Sequence, residues 1–322
     1  MMKYFIILTL LSLISCFDDN SKKDIFLPES VGSTGELVIV IDDDLWNFSI
    51  GKTLRKILAK NKKGLPQNEP IFRILKTSEN NDIFSKHKNI LFVGNTSNEK
   101  VVYEKHIDLY AKPQIVQKLN GNDIESLMEL IEKNAENIVY NYMDHDIKYL
   151  QKNIDESKLY LVPELNRKNI DIKIPNSYFR ADSTDNFFWY RKETRKSTFS
   201  IMLYIIPITD KVNFQYVNPV YLRDSVTKKN VKSDIVGAYM QIDKAYIPYV
   251  DTVDINHKTA VEMRGVWEMK QDFMGGPFVN YLIKDIKNNR VICLDGFIYS
   301  PSTPKKNMML ELEAILKTVE IK

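Results

Sequence analysis

The sequence is poor in the residues that most often build metal and redox sites. It has four histidines, all well separated along the chain, and two cysteines, Cys16 and Cys293. Motifs of the types G-x-S-x-G, H-E-x-x-H, C-x-x-C and G-x-x-x-x-G-K-[ST] are missing, which removes the commonest routes to hydrolysis, zinc catalysis, thiol redox chemistry and nucleotide binding. We therefore predict no metal and no cofactor. The lack of these motifs favours a protein without enzymatic activity.

The sequence also lacks an excess of one charge and long apolar runs. Lysine and arginine number 45 against 42 acidic residues, and the two signs are interspersed without a block of like charges. A nucleic-acid partner would require a basic stripe, so we predict none. Past the first residues, no apolar stretch approaches the roughly 20 residues that span a bilayer. We expect no transmembrane helix in the body of the protein.

The first residues form the pattern of an exported protein. A basic start is followed by an apolar run, Tyr4 to Leu13, and by the small Ser15 in front of Cys16. This order is typical of a signal peptide, and the residues up to Cys16 resemble a bacterial lipobox. We predict that residues 1–15 are the signal peptide, that Cys16 is lipidated, and that residues 16–34 form a flexible tether.

Lipidation of Cys16 has consequences for location and for the second cysteine. Acyl chains would hold the protein in the cell envelope, at the outer membrane, because each buried methylene contributes about 0.8 kcal/mol. The membrane is then the first partner, an envelope protein is a further candidate, and the periplasmic and surface faces both stay open. Cys293 is left without a disulfide partner, and its place in the apolar run Val291 to Leu294 predicts a buried, inert thiol.

The body divides by pattern into two halves, residues 35–158 and 159–322. The first half begins with a continuous apolar run, Gly35 to Asp42, which predicts a buried strand. Helical and strand-like segments follow it. The first half closes with a long amphipathic helix that Asn122 or Asp123 can cap.

The second half repeats this general order of strands, helix, strands and closing helix. Pro219 suits the first turn of a helix, Ala260 to Lys270 alternates as a strand does, and Lys287 to Asn289 predicts a hairpin turn. Thr303 and Pro304 open the last helix. We predict an α+β fold of two-layer sandwiches, in which mainly antiparallel sheets carry helices on one face and the two halves are similar.

Several tracts together resemble a known group of proteins. They are LPQNEPIF at Leu65–Phe72, AKPQ at Ala111–Gln114, RGVWE at Arg264–Glu268 and MGGPF at Met274–Phe278. The set is similar to an uncharacterised domain-of-unknown-function family of Bacteroidota lipoproteins, and the resemblance extends from about Pro28 to Thr318. It implies a lipoprotein of a Gram-negative envelope. It transfers no activity, substrate or catalytic residue to this chain.

The MGGPF tract is the most unusual local sequence and has two interpretations. Gly275 and Gly276 suit a tight turn between two strands, or a loop that lets a ligand approach the backbone closely. In the second interpretation, Arg264, Glu268 and Asp272 present charge beside the glycines. These five residues then form a candidate ligand-lining site.

Other charged residues have simpler structural interpretations. Arg264 and Glu262 are two positions apart on a strand and are expected to pair on its solvated face. Arg223 lies inside a predicted helix and is expected to form a salt bridge there. Asp144 to Asp146 lie on the exposed side of the long helix, where adjacent residues do not face one another, so we do not expect a catalytic triad.

Three functions stay open from the sequence. The leading hypothesis is a lipid-anchored envelope protein that serves as a non-enzymatic binding or assembly module. The alternative is an envelope hydrolase or transferase acting on a glycan, cell-wall or lipid substrate, with its site beside the MGGPF tract. A third is a small-ligand carrier whose cavity uses the aromatic run Phe187, Phe188, Trp189 and Tyr190, of which a strand would place every second residue on one face.

Overall fold

The structure is a computed structural model that describes residues 26–79, 81–96, 100–208 and 218–322. The predicted signal peptide, Cys16 and the first part of the tether lie outside these residues. Each half of the chain forms one larger sheet with helices packed against it, and the longest described helix runs between the halves.

The two halves differ in the order of their elements. The first half contains β1 (Glu36–Ile41), α1 (Asp43–Asn47), α2 (Ser49–Leu58), β2 (Arg73–Thr77), α3 (Asp82–Ser85), β3 (Asn89–Asn95), β4 (Val102–Ile107), β5 (Ile115–Gly121) and α4 (Ile124–Asp155). The second half begins with β6 (Leu159–Tyr160), α5 (Pro163–Asn166), β7 (Ile170–Asp171), β8 (Ile174–Pro175), β9 (Phe179–Thr184), β10 (Phe187–Glu193), β11 (Thr198–Pro207) and α6 (Pro219–Asn230). It continues with β12 (Tyr239–Ile242), β13 (Tyr249–Ile255), β14 (Lys258–Lys270), β15 (Gly275–Asp285), β16 (Arg290–Tyr299), α7 (Lys306–Leu316) and β17 (Glu320–Ile321).

The sheet of the first half is mainly parallel, in the order β2-β1-β3-β5-β4. β1 pairs in parallel with β2 and β3, β3 pairs in parallel with β5, and β4 runs antiparallel to β5. The predicted mainly antiparallel pairing is confirmed over the described residues as a whole, and this sheet is the exception to it. α2 and α4 cover one face and α3 lies against the other, so the run Leu37 to Ile39 is buried. Strands covered on both faces carry continuous apolar runs, which is characteristic of parallel sheets.

The sheet of the second half is antiparallel, in the order β12-β14-β15-β16-β11-β10-β9, with β13 also paired to β14. The α+β class is confirmed, but the two halves are not similar, because one sheet is parallel and the other antiparallel. Helices also cover both faces here: α7 and the end of α4 pack on one face, and α6 packs on the other. The prediction of helices on one face is wrong for this half.

α4 joins the two hydrophobic cores. Asp123 and Ser126 form a reciprocal capping box at its start, as expected for Asp123, with Ser126 N donating to Asp123 Oδ1 at 2.7 Å. Its 32 residues extend over roughly 48 Å. Ile131 lies in the core of the first half, whereas Ile147 and Ile154 lie in the core of the second. The helix therefore contributes apolar surface to both.

The LPQNEPIF tract fastens α7 to the first half. The carboxylate of Glu69 accepts hydrogen bonds from the backbone N–H of Lys305 (2.7 Å) and of Lys306 (2.9 Å), at the start of α7. Lys306 Nζ donates to the Ile71 carbonyl at 3.1 Å. An acidic side chain at a helix N-terminus satisfies free N–H groups and suits the helix dipole. The tract thus has an architectural role at the junction of the halves.

Candidate functional site

A cavity of about 440 Å³ opens on the α6 side of the antiparallel sheet. Strands β10, β11, β14 and β16 supply its floor, and the segment after α6 together with the turn between β14 and β15 supplies its wall. Small-molecule sites typically have volumes of about 300–1,000 Å³. Its aromatic and sulfur-containing lining includes Trp189, Trp267, Phe297, Tyr299, Met240 and Met269.

The register of neighbouring strands assembles the floor of this cavity. Arg191 of β10 pairs with Ser200 of β11, and Ser200 pairs with Phe297 of β16 on its other side. Because residues two apart on a strand share a face, Trp189 stands beside Arg191. Three side chains that are far apart in the sequence thus form one row across the sheet.

An aromatic cluster forms the base of the cavity. The Phe297 ring lies between two indoles, with its centroid 6.3 Å from that of Trp189 and 5.5 Å from that of Trp267. Rings at such distances attract one another beyond their burial. Trp267 Nε1 donates to the Ile298 carbonyl at 3.2 Å, directly over Gly276, where an added Cβ would lie 2.0 Å from that same oxygen. Glycine at 276 is therefore needed for the close packing below the indole.

Three buried polar atoms belong to side chains that line the cavity. Trp189 Nε1, Arg191 Nε and Ser200 Oγ have no hydrogen-bond partner in the part of the chain that the structure describes. Ser200 is only 1% exposed. A buried polar atom without a partner costs about 1–3 kcal/mol, so such atoms call for a bound molecule or a functional reason. The two N–H groups can only donate, which favours a ligand that carries an acceptor.

The charged residues at the cavity are balanced in sign. Arg191 and Lys232 are cationic, and Asp234 and Asp272 are anionic. Arg191 also pairs with the exposed Glu193 at 2.9 Å. The site therefore combines an aromatic floor with a mixed polar border and no excess of one charge.

A buried ion pair beside the cavity holds α6 to the sheet. Arg223 of α6 binds Asp295 of β16 through two hydrogen bonds of 2.7 and 3.2 Å, and both side chains are 0% exposed. Asn280 donates to the same carboxylate at 2.9 Å, and the Arg223 guanidinium lies 3.8 Å from the Phe278 ring centroid. The expected salt bridge within the helix is wrong, because this arginine points at the sheet.

The buried thiol agrees with its prediction. Cys293 is free and buried in β16, and burial raises the pKa of its thiol. Tyr204 lies beside it, and burial likewise raises the pKa of the Tyr204 hydroxyl well above its usual value. Both groups stay protonated at neutral pH and are poor nucleophiles.

The expected solvated pair of Arg264 and Glu262 is a buried network on the opposite face. Arg264 binds Glu262 with two contacts of 2.7 Å and binds Glu313 of α7 at 2.6 and 2.8 Å. Lys62 of the first half adds a contact to Glu313 at 2.9 Å. Burial opposes the charge of Glu313, but Arg264 and Lys62 outweigh it and hold the pKa of that carboxyl below its usual value. The solvated-face prediction is wrong because α7 covers this side of β14.

The five residues of the candidate ligand-lining site are spread over the sheet. Arg264 and Glu268 lie on the α7 side of β14, where Glu268 accepts a hydrogen bond of 2.6 Å from Gln241. Asp272 lines the cavity on the other face. Gly275 and Gly276 are the first residues of β15, after a turn at residues 271–274. The cavity itself brings together Trp189, Arg191 and Ser200, of which the sequence singled out Trp189 alone.

The expected exposed position of Asp146 on α4 is also wrong. Asp146 is buried and accepts hydrogen bonds from Gly35 N at 2.7 Å and Asn89 Nδ2 at 3.1 Å. His145 Nδ1 lies 3.0 Å from Asn89 Oδ1, and burial lowers the pKa of this histidine. These contacts tie α4 to the starts of β1 and β3 and have a structural role.

Across the described ranges, no helix has the length and apolar character needed to cross a bilayer. The same ranges contain no group of three or more His, Cys, Asp or Glu side chains placed to hold a metal ion.

Solved structures show only partial likeness to this chain. The Ran-binding protein Mog1p of Saccharomyces cerevisiae is 14% identical, with a TM-score of 0.34, over 51% of this chain and 96% of that one. The human StAR-related lipid transfer protein 5 is 9% identical, with a TM-score of 0.24, over 53% of this chain and 94% of that one. At these TM-scores the likenesses bear on neither fold nor function. No curated protein matches the chain at a significant level.

Two family models match the chain, one in each half. The domain of unknown function DUF8532 matches residues 30–155, and the domain of unknown function DUF4837 matches residues 160–318. The predicted membership of a family of unknown function is confirmed, whereas the Bacteroidota lipoprotein origin stays a prediction. The chain therefore consists largely of two domains of unknown function in succession, DUF8532 and then DUF4837.

Proposed function

We propose that the protein is a lipid-anchored component of the bacterial cell envelope, at the outer membrane, and that its second half binds a small molecule in the cavity beside α6. The anchor is supported by the N-terminal order of basic start, apolar run and Ser15-Cys16. The protein acts as a binding module without chemistry of its own. The proposal follows the leading hypothesis from the sequence and adds a ligand-binding site in the second half.

One observation carries the binding proposal: the cavity coincides with three buried polar atoms that have no partner within the described residues. Folding has left Trp189 Nε1, Arg191 Nε and Ser200 Oγ unsatisfied at the same place where it leaves about 440 Å³ unfilled. Each defect alone costs stability. A ligand that fills the space and accepts hydrogen bonds would compensate both.

The lining indicates the chemical class of the ligand. Trp189 and Phe297 offer aromatic surface, and the flexible side chains of Met240 and Met269 can adapt to an irregular apolar shape. The unpartnered N–H donors favour a carboxylate, sulfonate or carbonyl group. We expect a small molecule with an apolar or aromatic body and one acceptor group.

Native mass spectrometry of the full-length protein, purified from envelope membranes, tests the cavity. We expect a small-molecule adduct on the wild type that Trp189→Ala and Arg191→Met reduce strongly. Trp46→Ala is the matched control, because Trp46 packs in the first half beside Arg55, with the guanidinium 4.5 Å from its ring. Equal adducts on all four proteins, or none on any of them, would contradict the proposed site.

The anchor is tested separately. Cys16→Ala should abolish incorporation of labelled palmitate, leave the full-length mass unprocessed and release the acyl-dependent membrane association. If palmitate labels the protein equally with and without Cys16, the envelope tether is wrong, whatever the result at the cavity.

A further inference from the structure

Apolar side chains stand exposed at the mouth of the cavity. Val236 is 96% exposed, Phe273 is 104% exposed and Ile235 is 48% exposed. Ile235 lines the cavity, and Phe273 lies between two lining residues, Asp272 and Met274. We refer to Ile235, Val236 and Phe273 as the apolar rim. Large apolar side chains exposed together mark an interaction surface.

The two segments that carry the apolar rim lie close to each other. A Cβ added at Gly237, where φ is +83°, would lie 3.0 Å from Gln271 Oε1. Ala238 N donates to the Ile235 carbonyl at 3.0 Å, which fixes the segment after α6 as a turn. The rim residues therefore lie on neighbouring segments at one end of the antiparallel sheet.

We propose that the apolar rim inserts into the surface of a phospholipid bilayer, with the mouth of the cavity turned toward the lipid. This inference rests on the proposed function, in which lipidated Cys16 holds the protein at a membrane. The part of the tether from Cys16 to Phe26, about ten residues, spans at most about 36 Å. At such a distance the effective concentration of the bilayer is high, so a small contact is enough to orient the body.

The size and charge of the patch favour lipid over a protein partner. A stable protein interface buries about 800 Å² on each partner. The rim has one aromatic and two aliphatic side chains, and even an aromatic side chain buries only about 150–250 Å². Lys232 and Asp234 in the same segment carry opposite charges that cancel, so the segment has no net charge to attract a strongly charged partner. Shallow insertion into a bilayer needs apolar side chains and little area.

Single labelled cysteines in the full-length lipoprotein provide the test. Phe273→Cys and Val236→Cys are labelled with the fluorophore NBD, and the protein is reconstituted in vesicles of phosphatidylethanolamine and phosphatidylglycerol. The buried Cys293 is protected from the reagent, and an acylated Cys16 cannot react, so unsubstituted protein should take up no label. Ile286→Cys is the matched control, because Ile286 is 76% exposed in the turn at the other end of β15.

Lipids that carry a nitroxide on the acyl chain should quench the NBD fluorescence at positions 273 and 236 several-fold more than at position 286. The emission maximum of NBD should shift to shorter wavelength at positions 273 and 236 only. This preference should persist when the salt concentration is raised from about 0.1 M to about 1 M, since the rim carries no charge. Equal quenching at 273 and 286 would refute insertion. A label at 273 that is shielded from aqueous iodide but unquenched by lipid would show a protein partner instead, and would also refute it.

A double variant separates this inference from the proposed function. Val236→Ser with Phe273→Ser removes rim side chains that do not line the cavity. It should therefore keep the small-molecule adduct while a label placed at Ile235 by Ile235→Cys loses its quenching. If quenching at 235 persists in the double variant, the rim does not hold the protein in the bilayer. If the wild type carries no adduct but the rim is quenched, the cavity proposal fails and insertion stands.

Discussion

The two faces of the antiparallel sheet are covered by helices of similar length, yet α7 covers its face much more closely than α6 does, and we call these the sealed face and the open face. α7 buries eight of its eleven residues against the sheet and α4, and its Glu313 closes a network with Arg264 and Lys62. α6 has twelve residues and buries Arg223 and Thr227. Thr227 Oγ1 donates to the Met240 carbonyl at 3.1 Å, so polar anchors hold this helix to one side of the sheet.

This difference shows how one sheet supports both stability and a site. A helix that is apolar on most sides fills the space above the strands, whereas a helix held by an ion pair and a hydroxyl leaves part of the face open. On the sealed face, the charged groups of Arg264, Glu262 and Glu313 pair with one another, although the buried hydroxyls of Tyr190 and Tyr281 have no partner among the described residues. On the open face, polar atoms of Trp189, Arg191 and Ser200 lack partners among the described residues. The predictions below test this contrast.

The largest effect is expected for Arg264→Ala on the sealed face. The substitution leaves Glu262 and Glu313 without their main counterion, and breaking a buried ion pair costs about 3–5 kcal/mol. The measurement is the free energy of unfolding from urea denaturation. Arg191→Ala on the open face is the control and should cost less than about 1 kcal/mol, because its pair with Glu193 is partly exposed. Equal losses would remove the distinction between the faces.

A pH-dependent loss is expected next, for Glu313→Gln. The pKa of Glu313 lies below its ordinary value of 4.5 in the folded protein, so its charge stabilises the fold above that pH, and the contribution is lost as the pH falls below 4.5. The difference in unfolding free energy between wild type and variant should therefore be large near pH 7 and shrink by about pH 3. Asp272→Asn on the open face is the control. A difference that grows on acidification would contradict the sign.

Gly276→Ala should produce a moderate loss. The added methyl group would meet the Ile298 carbonyl at 2.0 Å, and overpacking of this kind costs about 1–3 kcal/mol. Gly94→Ala in β3 is the matched control, since its nearest neighbour is the tip of the Asn120 side chain, which can move aside. Thermal unfolding of the two variants, followed by circular dichroism, gives the comparison; a larger loss for Gly94→Ala would show that the packing argument is wrong.

The smallest effect is expected for Ser200→Ala in the unliganded protein. Its hydroxyl has no partner within the described residues, so its removal should change the unfolding free energy by less than about 0.5 kcal/mol or raise it. Ser300→Ala is the partnered control: its hydroxyl lies 2.7 Å from that of Ser197, and its loss should cost about 0.5–1.5 kcal/mol. Equal destabilisation by both would mean that Ser200 is already satisfied.

Local signals in the sequence predicted the elements that depend on neighbouring residues. Asn218 and Pro219 open α6, Asp123 caps α4, and the turn around Lys287 to Asn289 joins β15 to β16, with Asn289 in the left-handed conformation at φ 47°. Each signal acts over a few residues, where capping and turn chemistry are decided. Such elements were predicted because no distant partner is needed to form them.

The pairing of strands and the assembly of the cavity depend on distant contacts. The apolar runs of β1 and β3 indicate burial, but only their parallel pairing reveals a sheet covered on both faces. The alternation of β14 places Arg264 on a polar face, but α7, which covers that face, comes some 50 residues later in the sequence. Trp189 belongs to an aromatic run that the sequence displays, whereas Ser200 joins it only through the register of β10 and β11. Periodicity shows which residues share a face of a strand or helix, but it does not show which element packs against that face.

The sharing of α4 by two cores sets a limit on how the chain can be divided. The two matched domains meet between residues 155 and 160, which invites truncation there. A fragment beginning at that point would lose Ile147 and Ile154 from its apolar interior, and would leave the first turn of α7 without the carboxylate of Glu69. We expect such a fragment to aggregate. The two domains should therefore be studied through substitutions in the intact chain.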